Sequence, residues 1–316
     1  MTASIWKPQR ACARAAAICL VVLATLLQAC AAPSLDRVKN HIARAVIVLE
    51  QERDADSLAA AALLSSSELF GKNQNRASSL IARATLAAPD RADLAWLQAR
   101  ICQGTPGCDS QPFEAKVRNL DPSNGAGWLG ALARAAAAKD DEATNEALRA
   151  ISQTPRVDIY YTRLIGTLSP KVAQTGSVSL SEAVVAVNGV MAAQTIPPYQ
   201  SVSNACKGER LTQANVLSLC QGVARAFESG DTFITEMIGV SIAKRVWPPD
   251  SLEWKAAADA RRQFDYQSKL SGEIERTDAV STNRYIALCR QYRREQDVLR
   301  AELVDAGKNP DPPPSP

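Results

Sequence analysis

The chain has a single histidine, His41, and aromatic residues make up only 5% of its 316 positions. A Ser-His-Asp triad, a Cys-His pair or a His-rich metal centre could be built only around that one imidazole. His41 lies on an amphipathic segment with Val38, Ala45 and Val48, and it reads as a surface position. Neither a G-x-x-x-x-G-K-[ST] loop nor G-x-G-x-x-G occurs, so phosphates have no glycine-rich cradle and no nucleotide or other cofactor is expected. An excess of one charge is lacking too. Lys and Arg number 36 against 33 Asp and Glu, and the surplus is Lys7, Arg10 and Arg14 near the start. The balanced remainder has no basic footprint for a phosphate backbone, which excludes nucleic acid as a partner. Period-two alternation is absent, which disfavours all-β and Rossmann-like plans. After the N-terminus no apolar run reaches the length needed to cross a bilayer.

What is present begins with an address. A basic segment to Arg14 is followed by an apolar run over 15–27 and then by Leu27-Gln28-Ala29-Cys30, the order an export signal requires. The run falls short of the ~20 apolar residues that span a bilayer. Its end resembles the lipobox of bacterial lipoproteins, with an aliphatic residue three before the cut, a small residue directly before it, and a thiol. That resemblance implies removal of 1–29 and acylation of Cys30 as the first mature residue. Because Ala31 and Ala32 follow, with no Asp beside the anchor, it also implies the outer membrane, with the body facing the periplasm. Ala29-Cys30-Ala31 fits soluble export as well, so ordinary secretion is the alternative.

Of eight cysteines, Cys12 and Cys19 leave with the signal and Cys30 is the anchor, which leaves Cys102, Cys108, Cys206, Cys220 and Cys289. An oxidising compartment favours disulfides. Between Cys102 and Cys108 lie Gly104, Pro106 and Gly107, turn formers that let the chain double back and bring the thiols together. Zinc would need a second close Cys or His pair, and the sequence has none, so no metal is expected. Cys206 sits in a loop and Cys220 on the apolar stripe of the next helix with Val216, Val223 and Phe227, so Cys206 with Cys220 is one pairing. Cys220 with Cys289, or three buried thiols, are the others.

Apolar spacing of three and four predicts helices at about 35–51, 56–70, 75–87, 91–102, 112–119, 125–138, 141–152, 157–168, 179–194, 209–228, 232–246, 251–270 and 279–305. Ser179-Leu-Ser-Glu182 and Asp250-Ser-Leu-Glu253 read as capping boxes. Pro89, Pro122 and Pro155 recur every 33 residues, and each is followed six or seven positions later by an aromatic: Trp96, Trp128 and Tyr161. Ala77, Ile81 and Ala84 precede the first proline, and Ala143, Ala147 and Ala150 precede the third, at a spacing that suits close helix packing. Over 57–168 this pattern resembles the tetratricopeptide repeat, a stack of helical hairpins. The Leu-Gly pair that this family places after the aromatic is found only as Leu129-Gly130. The expected fold is therefore all-α, with hairpins stacked as a tetratricopeptide-like solenoid followed by a bundle of longer helices. The expected organisation is a signal at 1–29, an anchor segment and first helix at 30–55, repeats at 56–170, a helical domain at 171–306 and a disordered proline-rich tail at 307–316. The charged residues Arg284, Arg293, Arg294, Glu295, Asp297 and Arg300 read as a solvated face.

The expected function is that of a non-enzymatic envelope scaffold, held to the membrane through Cys30 and binding a protein or peptide partner. The alternative is a wall-binding or peptidoglycan-cleaving protein. Phe227-Glu228-Ser229-Gly230, with Glu236 nearby, offers the Glu-Ser dipeptide of lytic transglycosylases, but the Gly-rich, Met-Gln element that should follow is missing. Trp247, Trp254, Phe264, Tyr266 and Tyr292 could line a groove and read more simply as core.

Overall fold

The computed structural model describes residues 35–213, 215–274 and 278–313, with the side chains at 35 and 194–198 excepted. Cys30 and the export signal lie outside them. The chain divides into Met1–Asn40 and His41–Pro316. Of the first unit, the described part is the opening of helix α1 (Leu35–Gln51).

The described residues are helical throughout, as the periodicity predicts. After α1 come α2 (Ala55–Ser65), α3 (Gln74–Ala87), α4 (Ala92–Gln103), α5 (Gln111–Leu120), α6 (Leu129–Ala138) and α7 (Asp141–Ser152). Then follow α8 (Tyr161–Gln174), α9 (Leu180–Ala205), α10 (Val216–Glu228), α11 (Phe233–Val246), α12 (Leu252–Ser271), α13 (Ala279–Gln291) and α14 (Glu295–Asp305). Side-chain caps start many of them. Asp54, Asn73, Asp140, Ser179, Thr232, Ser251 and Asp278 each accept a hydrogen bond from a first-turn amide, meeting donors the helix itself leaves open. Ser179 and Glu182 complete the expected capping box. At the second expected box the cap is Ser251. Asp250, just after two prolines, takes a left-handed turn (φ 69°) and cannot serve.

Each helix from α2 to α5 packs on the next, α5 reaches α6 through the 3-10 turn Gly125–Trp128, and α6 packs on α7. The three prolines fall in loops between helices. Trp96 lies on α4, Trp128 ends the 3-10 turn and Tyr161 opens α8. The repeat then departs from expectation, because the main partner of α7 is α10, while α8 packs chiefly on α9, α2 and α13. The cause is local. Over 157–160 the chain is irregular where a helix is expected, Tyr160 is left-handed (φ 60°), and α8 starts only at Tyr161. The stack therefore continues past the expected join at 171–177, from α10 to α11, α12 and α14. Then α14 packs on α13, α13 on α8 and α8 on α2, so the neighbours form a closed circuit. Inside it runs α9, which touches α2, α6, α8, α11 and α13. Ala183, Ala186, Val187, Val190, Met191, Tyr199 and Val202 are buried on it where it meets these neighbours, while Val185 (71% exposed), Gly189, Ala192, Ala193, Gln200 and Asn204 keep one face of it toward solvent.

Other boundaries also differ. The segment expected as one helix over 56–70 ends in a separate 3-10 turn, Glu68–Phe70. The one expected over 209–228 begins as a 3-10 turn, Gly208–Thr212. The helix expected over 279–305 breaks at 292–294; Arg284, Arg293 and Arg300 of the expected solvated face stay exposed, while Arg294, Glu295 and Asp297 are half-buried by the turn. Arg293 pairs with Asp158, Glu295 Oε2 accepts the Phe233 amide at 2.9 Å, and Arg294 bridges to Glu236. The tail, expected to lack a core, is tied down as far as it is described. Pro310 is buried, its carbonyl accepts from Gln263 and Gln267, and Asp311 pairs with Arg300. A proline has no amide to donate, but its carbonyl remains a full acceptor.

Candidate functional site

The first helices and the central helix meet at a cleft lined by Trp96 and Arg100 of α4, Glu114 of α5, Gly130 of α6, Ile159 of the α7–α8 loop and Tyr199 of α9. It encloses about 390 Å³ including its open mouth. Its charged floor is built in order. Glu114, only 4% exposed, accepts from Arg134 on both oxygens at 2.8 and 2.7 Å, from Ser110 at 2.8 Å and from Gln103 at 3.0 Å. Burial pushes its carboxyl up, but these donors outweigh burial and hold it below the ordinary value. Gln103 in turn accepts from Arg100, whose guanidinium is held below its usual pKa by burial, against the pull of Tyr199 and Glu114. A Cβ at Gly130 would lie 2.1 Å from the Glu114 carboxylate, so the Leu-Gly pair of the repeat is what gives the ion pair its room. Tyr199 closes one wall, its hydroxyl 2.8 Å from that of Thr235 and its ring 5.7 Å from that of Phe227.

No protein-family model, curated protein or solved structure matches the chain. The chemistry therefore has to be read from the geometry.

A second buried cluster sits where the α7–α8 loop, the α10–α11 turn and the α13–α14 turn meet. Asp231, 1% exposed, accepts the Ile159 amide at 3.0 Å and the Tyr161 amide at 2.8 Å, and its own carbonyl accepts from the Glu295 amide. Asp158 beside it is held by Arg156 at 2.7 Å and by Arg293, and Arg156 also grips both oxygens of Asp121 at 2.8 Å. Burial raises the Asp231 carboxyl, and the charge of Asp158 raises it further. This cluster fixes the chain where the repeat departs, and its groups are engaged with one another.

Of the residues singled out by sequence, Cys102 and Cys108 stand at disulfide distance (Cα–Cα 5.3 Å), as do Cys206 and Cys220 (5.6 Å). Cys289 is a buried thiol on α13. The first pair closes the turn beside the cleft, and the second ties the end of α9 to α10. Cys30 lies outside the described residues. His41 is half-buried on α1. Glu228 ends α10 next to Glu236, and burial, helped by that second carboxylate, pushes its pKa to about 7. Trp247 is buried. Trp254, Phe264, Tyr266 and Tyr292 are half-buried, which only partly meets the expectation of core. Arg225 lies over Trp247 at 5.3 Å, Lys244 over Trp254 at 5.2 Å, and Phe264 packs on Phe233 at 5.2 Å.

Sequence reasoning missed Arg100, Gln103, Glu114, Tyr199 and Asp231. The signals for the cleft were Trp96, the aromatic after Pro89, and Leu129-Gly130, a small residue where close packing demands one.

Proposed function

We propose that this chain is a lipid-anchored envelope protein, acylated at Cys30 and facing the periplasm, whose helical body is a scaffold for a protein partner. The observation that carries the reading is the closed circuit of hairpins around α9. Such a body is held at many points and changes shape little, which suits holding partners in place. Aliphatic side chains on its outside, Leu86, Leu252 and Val280, are 80% or more exposed and offer points for a partner to cover. Affinity capture of the full chain from detergent-solubilised membranes after crosslinking tests this. A partner recovered in stoichiometric amount supports it; a chain recovered alone from the soluble fraction, without acyl mass on Cys30, refutes it.

One observation favours a second reading, a wall-acting protein. A carboxyl with its pKa near 7 is poised to donate a proton at neutral pH, and Glu228 is such a group. Muropeptide release from purified sacculi that is lost in Glu228→Gln would establish it. The same inactivity in wild type and variant would remove it.

A further inference from the structure

Helix α1 has two apolar faces. Ile42, Ala45, Val46 and Leu49 are buried, each 4% exposed or less, while Ile47 (52%) and Val48 (39%) face outward beside Arg44. Its charges are Arg37, Lys39 and Arg44 against Asp36 and Glu50, and Glu50 is engaged by Arg76. The helix therefore offers aliphatic and cationic side chains together, the combination that suits the boundary between anionic headgroups and acyl chains.

We propose that the outer face of α1 lies on the membrane surface, with Ile47 and Val48 inserted at the level of the glycerol backbone and Arg44 among anionic headgroups. This rests on the reading of Cys30 as acylated. Five residues of chain reach at most ~18 Å, so an anchored Cys30 keeps the start of α1 within that distance of the lipid. Ile47 is twelve residues further on, ~18 Å along the helix axis, which leaves the exposed face within reach once α1 lies flat. No described helix is long and apolar enough to cross a membrane, so α1 would lie on the bilayer and not span it. Two half-exposed aliphatic residues are a weak membrane ligand alone. Beside a lipid anchor they act as a second signal that fixes orientation, because the anchor supplies the local concentration.

The test places an environment-sensitive NBD fluorophore on Ile47→Cys in the full chain, in acylated and Cys30→Ala forms, with vesicles of three parts phosphatidylethanolamine to one part phosphatidylglycerol. A control label goes on Leu252→Cys. Mass spectrometry reads the acylation of Cys30 separately. The expected result is a blue-shifted emission at position 47 that doxyl-labelled lipids quench several-fold, with position 252 unquenched. In the Cys30→Ala form, Ile47→Glu with Val48→Glu should weaken vesicle binding on the order of tenfold, and added salt should weaken it further. Circular dichroism should show these exposed substitutions still folded. Quenching at position 47 in either form supports the proposal, whatever the acylation result. A label that stays aqueous on acylated protein overturns it and leaves the lipoprotein reading standing. A blue shift without lipid quenching, as from burial against a second protein, overturns it as well.

Discussion

Asp231→Asn is the sharpest test of how the fold is held. The carboxylate accepts two backbone amides of one loop, from Ile159 at 3.0 Å and Tyr161 at 2.8 Å, at a site 1% exposed. Asparagine has the same shape, but one acceptor becomes an NH₂ group that must face an amide N–H. A protonated aspartate does not share this defect, since its hydroxyl oxygen still accepts. At pH 5 the raised pKa keeps the folded carboxyl protonated, so the loss is that of a bond between neutral groups with a buried amide N–H left facing NH₂, which costs ~1–3 kcal/mol. About 2 kcal/mol of destabilisation is therefore expected at pH 5. For a body of this size the melting temperature should fall by roughly 4–8 °C.

The pH dependence sharpens the test. Burial raises the Asp231 carboxyl in the folded protein, so the folded state holds the proton more tightly than the unfolded chain. Its contribution is complete below the unfolded value, ~4, and is lost as pH rises through the raised folded value. Wild type should therefore lose stability from this group on the alkaline side, while Asn, which does not titrate, loses none. Calorimetric melts at pH 5 and pH 9 should show the deficit of Asp231→Asn shrinking as pH rises. A deficit that is constant, or that grows toward pH 9, would refute the burial argument. A variant as stable as wild type at pH 5 would refute the hydrogen-bond argument.

Other outcomes follow from the same physics. Closing 14 residues removes more chain entropy than closing 6, so Cys206→Ser with Cys220→Ser should cost about 3 kcal/mol and Cys102→Ser with Cys108→Ser about 2, read by urea unfolding. A Cβ at Gly239 would lie 2.5 Å from the Glu228 amide nitrogen and 2.9 Å from the Ala224 carbonyl, so Gly239→Ala must part α10 from α11 and should cost ~1–3 kcal/mol in the same assay. Arg134→Ala leaves the buried Glu114 carboxylate without its charged partner and both of that partner's donors and should cost about 3 kcal/mol, most of it recovered when Glu114→Gln is added.

The helices were legible because their signals are local. Apolar spacing, prolines at 89, 122 and 155, and caps such as Ser179 with Glu182 act within a turn or two, and most helices stand near where the spacing puts them, while α9 runs on to Ala205 past its expected end at 194. The closure of the circuit was not legible. It depends on α8 meeting α2 and α13 across long separations in sequence, and the turn that sends α8 there hangs on Tyr160 in a conformation aromatic residues rarely adopt. Asp231 in Gly-Asp-Thr reads as an ordinary turn residue, yet its partners lie 70 and 72 residues away. Arg294 and Glu295, which are half-buried, read as surface because helical periodicity was carried through Tyr292, where the helix breaks. For the cleft, Gly130 carried a trace in the Leu-Gly pair. Arg100 could not, since an arginine on a helix looks solvated until its neighbours are known.

The position of α9 also changes what the repeat resemblance can imply. Stacked hairpins of that kind suggest a concave surface open to a peptide, but here the inside of the circuit is taken by the chain's own helix. Val187, Val190, Met191 and Val202 are each 2% exposed or less on it. At ~1.5–3 kcal/mol for each such side chain returned to water, lifting these four alone would cost at least ~6 kcal/mol. The Cys206–Cys220 link would still hold the end of α9 to α10. A peptide competing for that inner surface would have to repay this before gaining affinity, which amounts to a loss of about four orders of magnitude in binding. Partners are therefore expected on the outside of the circuit, where exposed aliphatic side chains such as Leu252 and Val280 cost nothing to uncover.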